Sequence, residues 1–317
     1  MKLREEFPNS PDDADAEESL KIAVGELQEI FQHDYFLKAN ETKKKEIMLH
    51  SSTSKYESEL DYPWDAYFGT DLSPYLKEKV ILDLGCFNGG RGAAWFERYN
   101  LKQIFGIDVD QVYIDAATSF ASIKQINAKY DVARGERLPY EDEMFDAVLS
   151  FDVFEHVQNV PNTLNECWRV LKPNGKLFVV FPSYFQPVEH HLTLVTSTPF
   201  FHYFFSGETL INAYNEILEE RGQDAYWYAR GSLKPEIWER CNTINGTTLR
   251  RFKGFIDNGK WKTILYGRKP IGSIGRNVSK KKWPLPFSYL FYPLTFVPGI
   301  QEIFLHRVVF VLEKESQ

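Results

Sequence analysis

Two acids and a glycine-rich turn are the residues whose types and spacing could do chemistry. Val80-Ile81-Leu82 is an apolar run that ends in Asp83. Leu84-Gly85-Cys86-Phe87-Asn88-Gly89 follows, then a segment able to form a helix from Arg91 to Arg98. Gly85 and Gly89 allow a tight turn and let a ligand approach where a Cβ would block it. A helix starting there points its free N–H groups at that ligand. A second short apolar run, Gln103-Ile104-Phe105-Gly106-Ile107, ends in Asp108, where a carboxylate can accept both hydroxyls of a ribose. Val109 could then pack on the attached base, and the bland alternative makes Asp108 a helix N-cap only. His156, His190, His191 and His202 are the candidate general bases, because a neutral imidazole can take a proton near working pH. His190, His191 and His202 show no usual metal-ligand spacing, and no metal is expected.

These groups need strands to carry them and helices to space them. The apolar runs read as strands buried on both faces of a parallel sheet. The 317 residues, with 43% hydrophobic and 26% charged content, suit one large α/β domain with a sizeable insertion. A net charge of −7 argues against general nucleic-acid binding. Cys86, Cys167 and Cys241 are scattered and odd in number, which suggests a reducing, cytoplasmic setting without a disulfide framework. The acidic start has no apolar core of a signal peptide, and no run is long enough for a transmembrane helix.

The stretch Leu82-Asp83-Leu84-Gly85-Cys86-Phe87-Asn88-Gly89 resembles motif I of the class I S-adenosylmethionine (SAM) methyltransferases, L-D-L-G-C-G-x-G, with Phe87 in place of the middle glycine. That phenylalanine, and the lack of G-x-G-x-x-G, disfavour a NAD-dependent oxidoreductase. Glu136-Arg137-Leu138-Pro139-Tyr140 and Phe145-Asp146-Ala147-Val148-Leu149-Ser150 resemble the G-D-A-E-x-L-P-F and F-D-x-V-x-S segments of the ubiquinone-biosynthesis-like (type 11) methyltransferases. Phe151 to Val157 is similar to their x-L-E-H-V strand end, and Glu166 to Gly175 to their E-x-x-R-V-L-K-P-G-G. The resemblance implies a Rossmann-like α/β fold: a seven-stranded, mostly parallel sheet with the last strand antiparallel, and helices on both faces. It implies SAM as cofactor and S-adenosylhomocysteine as product. It places the cofactor on Asp83, Gly85, Phe87, Asn88, Gly89, Asp108, Val109, Glu136, Leu138 and Phe151, with Asp83 on the methionine ammonium. The family's adenine-binding Asp is Arg134 here, which leaves that contact to backbone groups or Glu136. The expected reaction is methylation of a small-molecule or sugar-type acceptor at oxygen, with His156, His191 and His202 as candidate bases. A non-catalytic SAM-fold subunit and N- or C-methylation are the rivals.

The chain divides on these readings into an acidic tail and helical segment (1–60), a cofactor-binding core (61–182), an inserted substrate lid (183–243) and a stretch completing the sheet (244–317). Helices are expected over Glu17 to His33, Glu41 to His50 and Gly207 to Glu220. Tyr62 to Gly69 reads equally as a cover for the cofactor's methionine end or as core. No acid occurs from Asn258 to Gln301, a span with Lys260, Lys262, Arg268, Lys269, Arg276 and Lys280-Lys281-Lys282, and aromatics crowd Trp283 to Pro298. Such a stretch can lie on an anionic membrane or bind an anionic substrate. A connection packed on the sheet with a solvated lysine face is the preferred reading.

Overall fold

The structure is a computed structural model that describes residues 41–187, 200–205, 209, 212, 213, 216, 245–257, 260–273 and 290–315. The expected helix at Glu17 to His33 lies outside these residues, as does all but four positions of the one at Gly207 to Glu220.

Seven strands form one sheet in the order β3-β2-β1-β4-β5-β7-β6. They are β1 Val80–Leu84, β2 Gln103–Asp108, β3 Ala128–Val132, β4 Phe145–Phe151, β5 Leu171–Phe181, β6 Trp261–Pro270 and β7 Leu305–Lys314. β1 pairs in parallel with both β2 and β4, while β7 runs antiparallel between β5 and β6. The mostly parallel sheet and the antiparallel last strand are as expected. The strand order reverses between β1 and β4, with β2 and β3 laid to one side and β4 and β5 to the other, so a crevice opens at their carboxyl ends. The inner strands are apolar because helices cover both faces. One core packs Leu82, Val148 and Val179 against Leu164, Cys167 and Phe252; the other packs Ile81, Leu149 and Phe178 against Trp64 and Trp95.

Helix α1 runs from Glu41 to Asp61, eleven residues beyond the expected end at His50. Its second half is rich in serine and threonine, which are weak helix formers. Here Ser52 and Thr53 return their hydroxyls to the carbonyls of Met48 and Leu49, and the helix is held by polar contacts described below. Short helices α2 (Asp65–Phe68) and α3 (Ser73–Leu76) follow, then α4 (Gly90–Arg98), α5 (Gln111–Lys124), α6 (Val160–Val170), α7 (Phe201–Phe204) and α8 (Leu249–Asp257). Trp64 and Phe68 are core residues: Trp64 is fully buried, with its ring 4.7 Å from Trp95 and 4.8 Å from Phe68. Among the described residues no helix is long and apolar enough to cross a membrane.

Candidate functional site

The turn after β1 is built around left-handed backbone. Gly85 has φ +76°, Phe87 +49° and Gly89 +74°, and α4 then begins. Phe87 thus keeps a conformation glycine adopts without strain, at a cost of about 1–2 kcal/mol. Its ring packs 4.2 Å from that of Tyr113, which offsets part of that cost. Both motif glycines are also required by packing. A Cβ on Gly85 would lie 2.4 Å from Val153 Cγ2, and one on Gly89 would lie 2.8 Å from Ala117 Cα. Gly85→Ala is therefore expected to destabilise the fold by about 2–4 kcal/mol, combining backbone strain with overpacking. Urea unfolding with an unchanged m-value checks this.

Asp108 ends β2 and faces this turn. One carboxylate oxygen accepts the Phe87 N–H at 3.0 Å and the other the Asp110 N–H at 3.3 Å. Asp110, not Asp108, caps α5 by accepting from the Val112 N–H at 3.0 Å. Burial pushes Asp108 up to about 6 despite those bonds. Each of its oxygens keeps a lone pair for a further donor. Val109 beside it lines the cavity and is 65% exposed.

A buried charge cluster stands on the other side of the turn. Asp83 is almost wholly buried, with Oδ2 3.0 Å from where a Gly92 Cβ would be, and desolvation pushes it up to about 7 against the pull of Arg91. Arg91 lays its guanidinium 3.9 Å from the centre of the Phe151 ring and lies 3.6 Å from Glu59. Glu59, from α1, accepts from the Trp64 N–H at 2.7 Å and the Trp95 indole at 2.8 Å, and burial raises it to about 7. Helix α1 also grips the turn directly. Ser51 accepts from the Asn88 amide at 2.7 Å, and Ser52 donates to the Asn88 carbonyl at 2.9 Å. Asn88 is thus turned toward α1. Lys55 reaches the cavity wall 5.7 Å from the Phe87 ring centre.

Together these groups line a cavity of about 420 Å³ at the carboxyl ends of β1, β2 and β4. Asp83, Gly85, Phe87, Asn88, Asp108, Val109, Glu136 and Phe151 line it, as do Arg134 and His156. Gly89 lies just behind, at the start of α4. Leu138 does not line the cavity. It is buried in the core, and its N–H is donated to Glu166 at 2.8 Å, because the chain turns inward there to pack on α6. Glu136 spends one oxygen on the Asn159 N–H at 3.0 Å.

His156 follows β4, with Nε2 3.8 Å from Glu155 Oε1 and a partly exposed ring. His190 and His191 lie outside the described residues, as does the side chain of His202. The His156 loop is fixed from afar: the Asn245 amide donates to the carbonyls of Phe154 at 2.8 Å and Val157 at 2.7 Å. Asp152, at φ +56°, pairs with Arg307 of β7 at 3.0 Å. Sequence reasoning missed Lys55, Glu59, Arg91, Asn245 and Arg307. Arg91, two residues past Gly89, carried a local signal; the Asn245 and Arg307 contacts span roughly 90 and 155 residues of chain and carried none.

Residues 82–179 match the family model described as a methyltransferase domain. A ubiquinone biosynthesis O-methyltransferase of Coxiella burnetii is 31% identical over 103 residues, covering 32% of this chain and 43% of that protein. Norajmaline N-methyltransferase of Rauvolfia serpentina is 31% identical over 109 residues, covering 34% of this chain and 37% of that protein. The chain thus spans less than half the length of these curated relatives. A chain from the complex of the Haloferax volcanii Trm112 methyltransferase activator with a methyltransferase superposes with a TM-score of 0.50 at 12% identity, over 84% of this chain and 94% of that one, a likeness of fold.

Proposed function

Starting from the class I, SAM-dependent methyltransferase domain that this chain carries at residues 82–179, we propose that the protein transfers a methyl group from SAM to an oxygen of a small-molecule or sugar-type acceptor. The observation that carries this reading is the cavity at the β1–β4 switch point, whose wall brings together Asp83, Asp108, Arg91 and Lys55. Asp108, with lone pairs to spare, suits the ribose hydroxyls. Asp83 suits the methionine ammonium, and Arg91 and Lys55 suit its carboxylate. The volume lies within the range of small-ligand sites.

SAM supplies an activated methyl group, so the protein's work is to orient the acceptor, exclude water and manage one proton. His156 is the described histidine on the cavity wall, and in this reading it takes the acceptor's hydroxyl proton. Oxygen as the target follows the ubiquinone relatives.

Calorimetric titration of SAM into the full chain tests the proposal. A Kd in the micromolar range, about −8 kcal/mol, is expected, and an absence of binding would end it. In the His156→Ala variant, kcat is expected to fall by about 100-fold with SAM affinity kept. A variant that loses both would assign His156 to the fold.

A further inference from the structure

A second cavity, of about 580 Å³, opens between α6, α8 and the start of β6. Helix α6 lines it with Pro161, Leu164, Asn165 and Trp168, whose spacing of three and four residues puts them on one face. Gly254 and Phe255 of α8 form the opposite wall, and Lys260 and Trp261 close the end where β6 begins. Helix α8 leaves the gap open because it presents Gly254 there: a Cβ added at that position meets nothing within 4 Å. The walls themselves are fixed. Leu164 is buried in the core, and Phe255 and Trp261 pack against that same core.

This cavity lies at the opposite end of the sheet from the first. β5 runs parallel to β4, and α6 passes into it at Leu171, just past Trp168. Trp261 of β6 pairs with Lys314, next to the Glu313 that pairs with Lys176 in the first half of β5. These are the amino ends of the strands, whereas the first cavity stands at carboxyl ends. A molecule seated here is not a methyl acceptor.

The lining selects its occupant. Trp168, Phe255 and Trp261 offer rings to a flat apolar body. The Lys260 ammonium lies 4.6 Å from the centre of the Trp168 ring, and no acid is among the lining residues. Lys314, 4.1 Å from the same ring, is committed to the Leu171 carbonyl at 2.7 Å and to Glu143 at 3.3 Å. Lys260 makes no ion pair among the described residues, so its charge is open to a ligand. Trp168 also buries its indole N–H without an acceptor among the described residues, and buried indoles normally have one. A ring that carries an anionic oxygen answers the aromatic walls, the cation and the unanswered donor together.

We propose that this cavity is a second ligand site and takes a small aromatic anion, with its ring among Trp168, Phe255 and Trp261 and its anionic group at Lys260. The proposal does not rest on the methyltransferase reading.

The test uses the full chain and two dyes that fluoresce in apolar surroundings, anilinonaphthalene sulfonate and its neutral counterpart phenylnaphthylamine. Wild type should bind the anionic dye with a Kd on the order of 10–100 μM, and saturating SAM should leave that binding in place. Gly254→Leu fills the open space and should weaken both dyes by about 10-fold or more. Leucine is the better helix former, so the variant should melt no lower than wild type. Lys260→Gln should weaken the anionic dye by about 3- to 5-fold, the worth of an exposed ion pair, and leave the neutral dye unchanged. No binding by wild type, unchanged binding by Gly254→Leu, or displacement of the dye by SAM overturns the site. Lys260→Gln that treats the two dyes alike overturns the anionic class. A chain that binds no SAM yet meets the Gly254 and Lys260 expectations would keep this site and lose the methyltransferase reading.

Discussion

Replacing Asp108 by alanine should weaken SAM binding by about 10- to 100-fold, the loss expected for hydrogen bonds to a charged acceptor. The residue has two tasks. It pins the turn by accepting the Phe87 and Asp110 N–H groups, and its remaining lone pairs face the cavity. Alanine removes both functions and leaves the Phe87 N–H without its acceptor. Asp108→Asn retains one carbonyl oxygen for the turn and loses the charge, so it should fall between wild type and alanine. S-adenosylhomocysteine carries the same ribose and should weaken in parallel. Calorimetry on the three proteins decides the matter: an unchanged affinity in Asp108→Ala would remove the ribose assignment.

The second large effect concerns Glu59. Its carboxylate holds the Trp64 N–H, the Trp95 indole and Arg91 at once, in a nearly dry setting. Glu59→Ala strands two buried donors and a cation, a loss of about 3–5 kcal/mol, or a fall in Tm on the order of 10 °C. The same cluster sets a pH dependence. Burial raises Glu59 and Asp83 to about 7 and Asp108 to about 6. In the folded chain these groups hold protons that the unfolded chain has already released, so stability is greatest below about pH 4 for this contribution, declines as pH rises, and levels off above about pH 7. Ligand binding runs the other way, because an ammonium and a ribose favour ionised partners. The Tm increase given by SAM should therefore grow between about pH 5 and pH 8 as the free protein loses stability. Glu59→Gln removes one of the three titrations and should flatten the slope. Thermal unfolding with and without SAM across that range measures both trends, and a ligand-induced shift that is constant with pH would refute the coupling.

The sheet and the glycine-rich turn were legible in the sequence because both are written in local patterns. Apolar runs give strands, and acids at strand ends are the signature of a ligand crevice. Asp110, which the sequence put at the helix start, is the residue that caps α5, while Asp108 two residues earlier lines the cavity. What was not legible depends on polar contact between distant segments. Helix α1 shows why. Beyond His50 it docks through Ser51, Ser52 and Glu59 with Tyr56 as its buried apolar anchor, so hydrophobic periodicity had little to detect there. The motif glycines were read from the turn alone, and their close packing on Val153 and Ala117, from segments well removed along the chain, carried no local signal. Leu138, inside a recognisable motif, belongs to the core because its backbone is tied to Glu166. The aromatic stretch near residue 290 is a contrasting case. Its composition was plain, but whether it faced the sheet or the solvent is a matter of docking that composition does not encode.

The position of β7 between β5 and β6 bears on how the molecule is made. Residues 305–314 are the last of the seven strands to be synthesised, yet they supply the partner for two others. During translation β1 to β5 can assemble as soon as they emerge, but β5 then presents a naked, strongly apolar edge while well over a hundred further residues are added. At typical ribosome speeds of about 5–20 residues per second, that edge stays open for several seconds or longer. A nascent chain of this protein therefore passes through a long interval in which the glycine-rich turn is complete and the sheet is not. That interval is when it is most exposed to aggregation and to capture by chaperones.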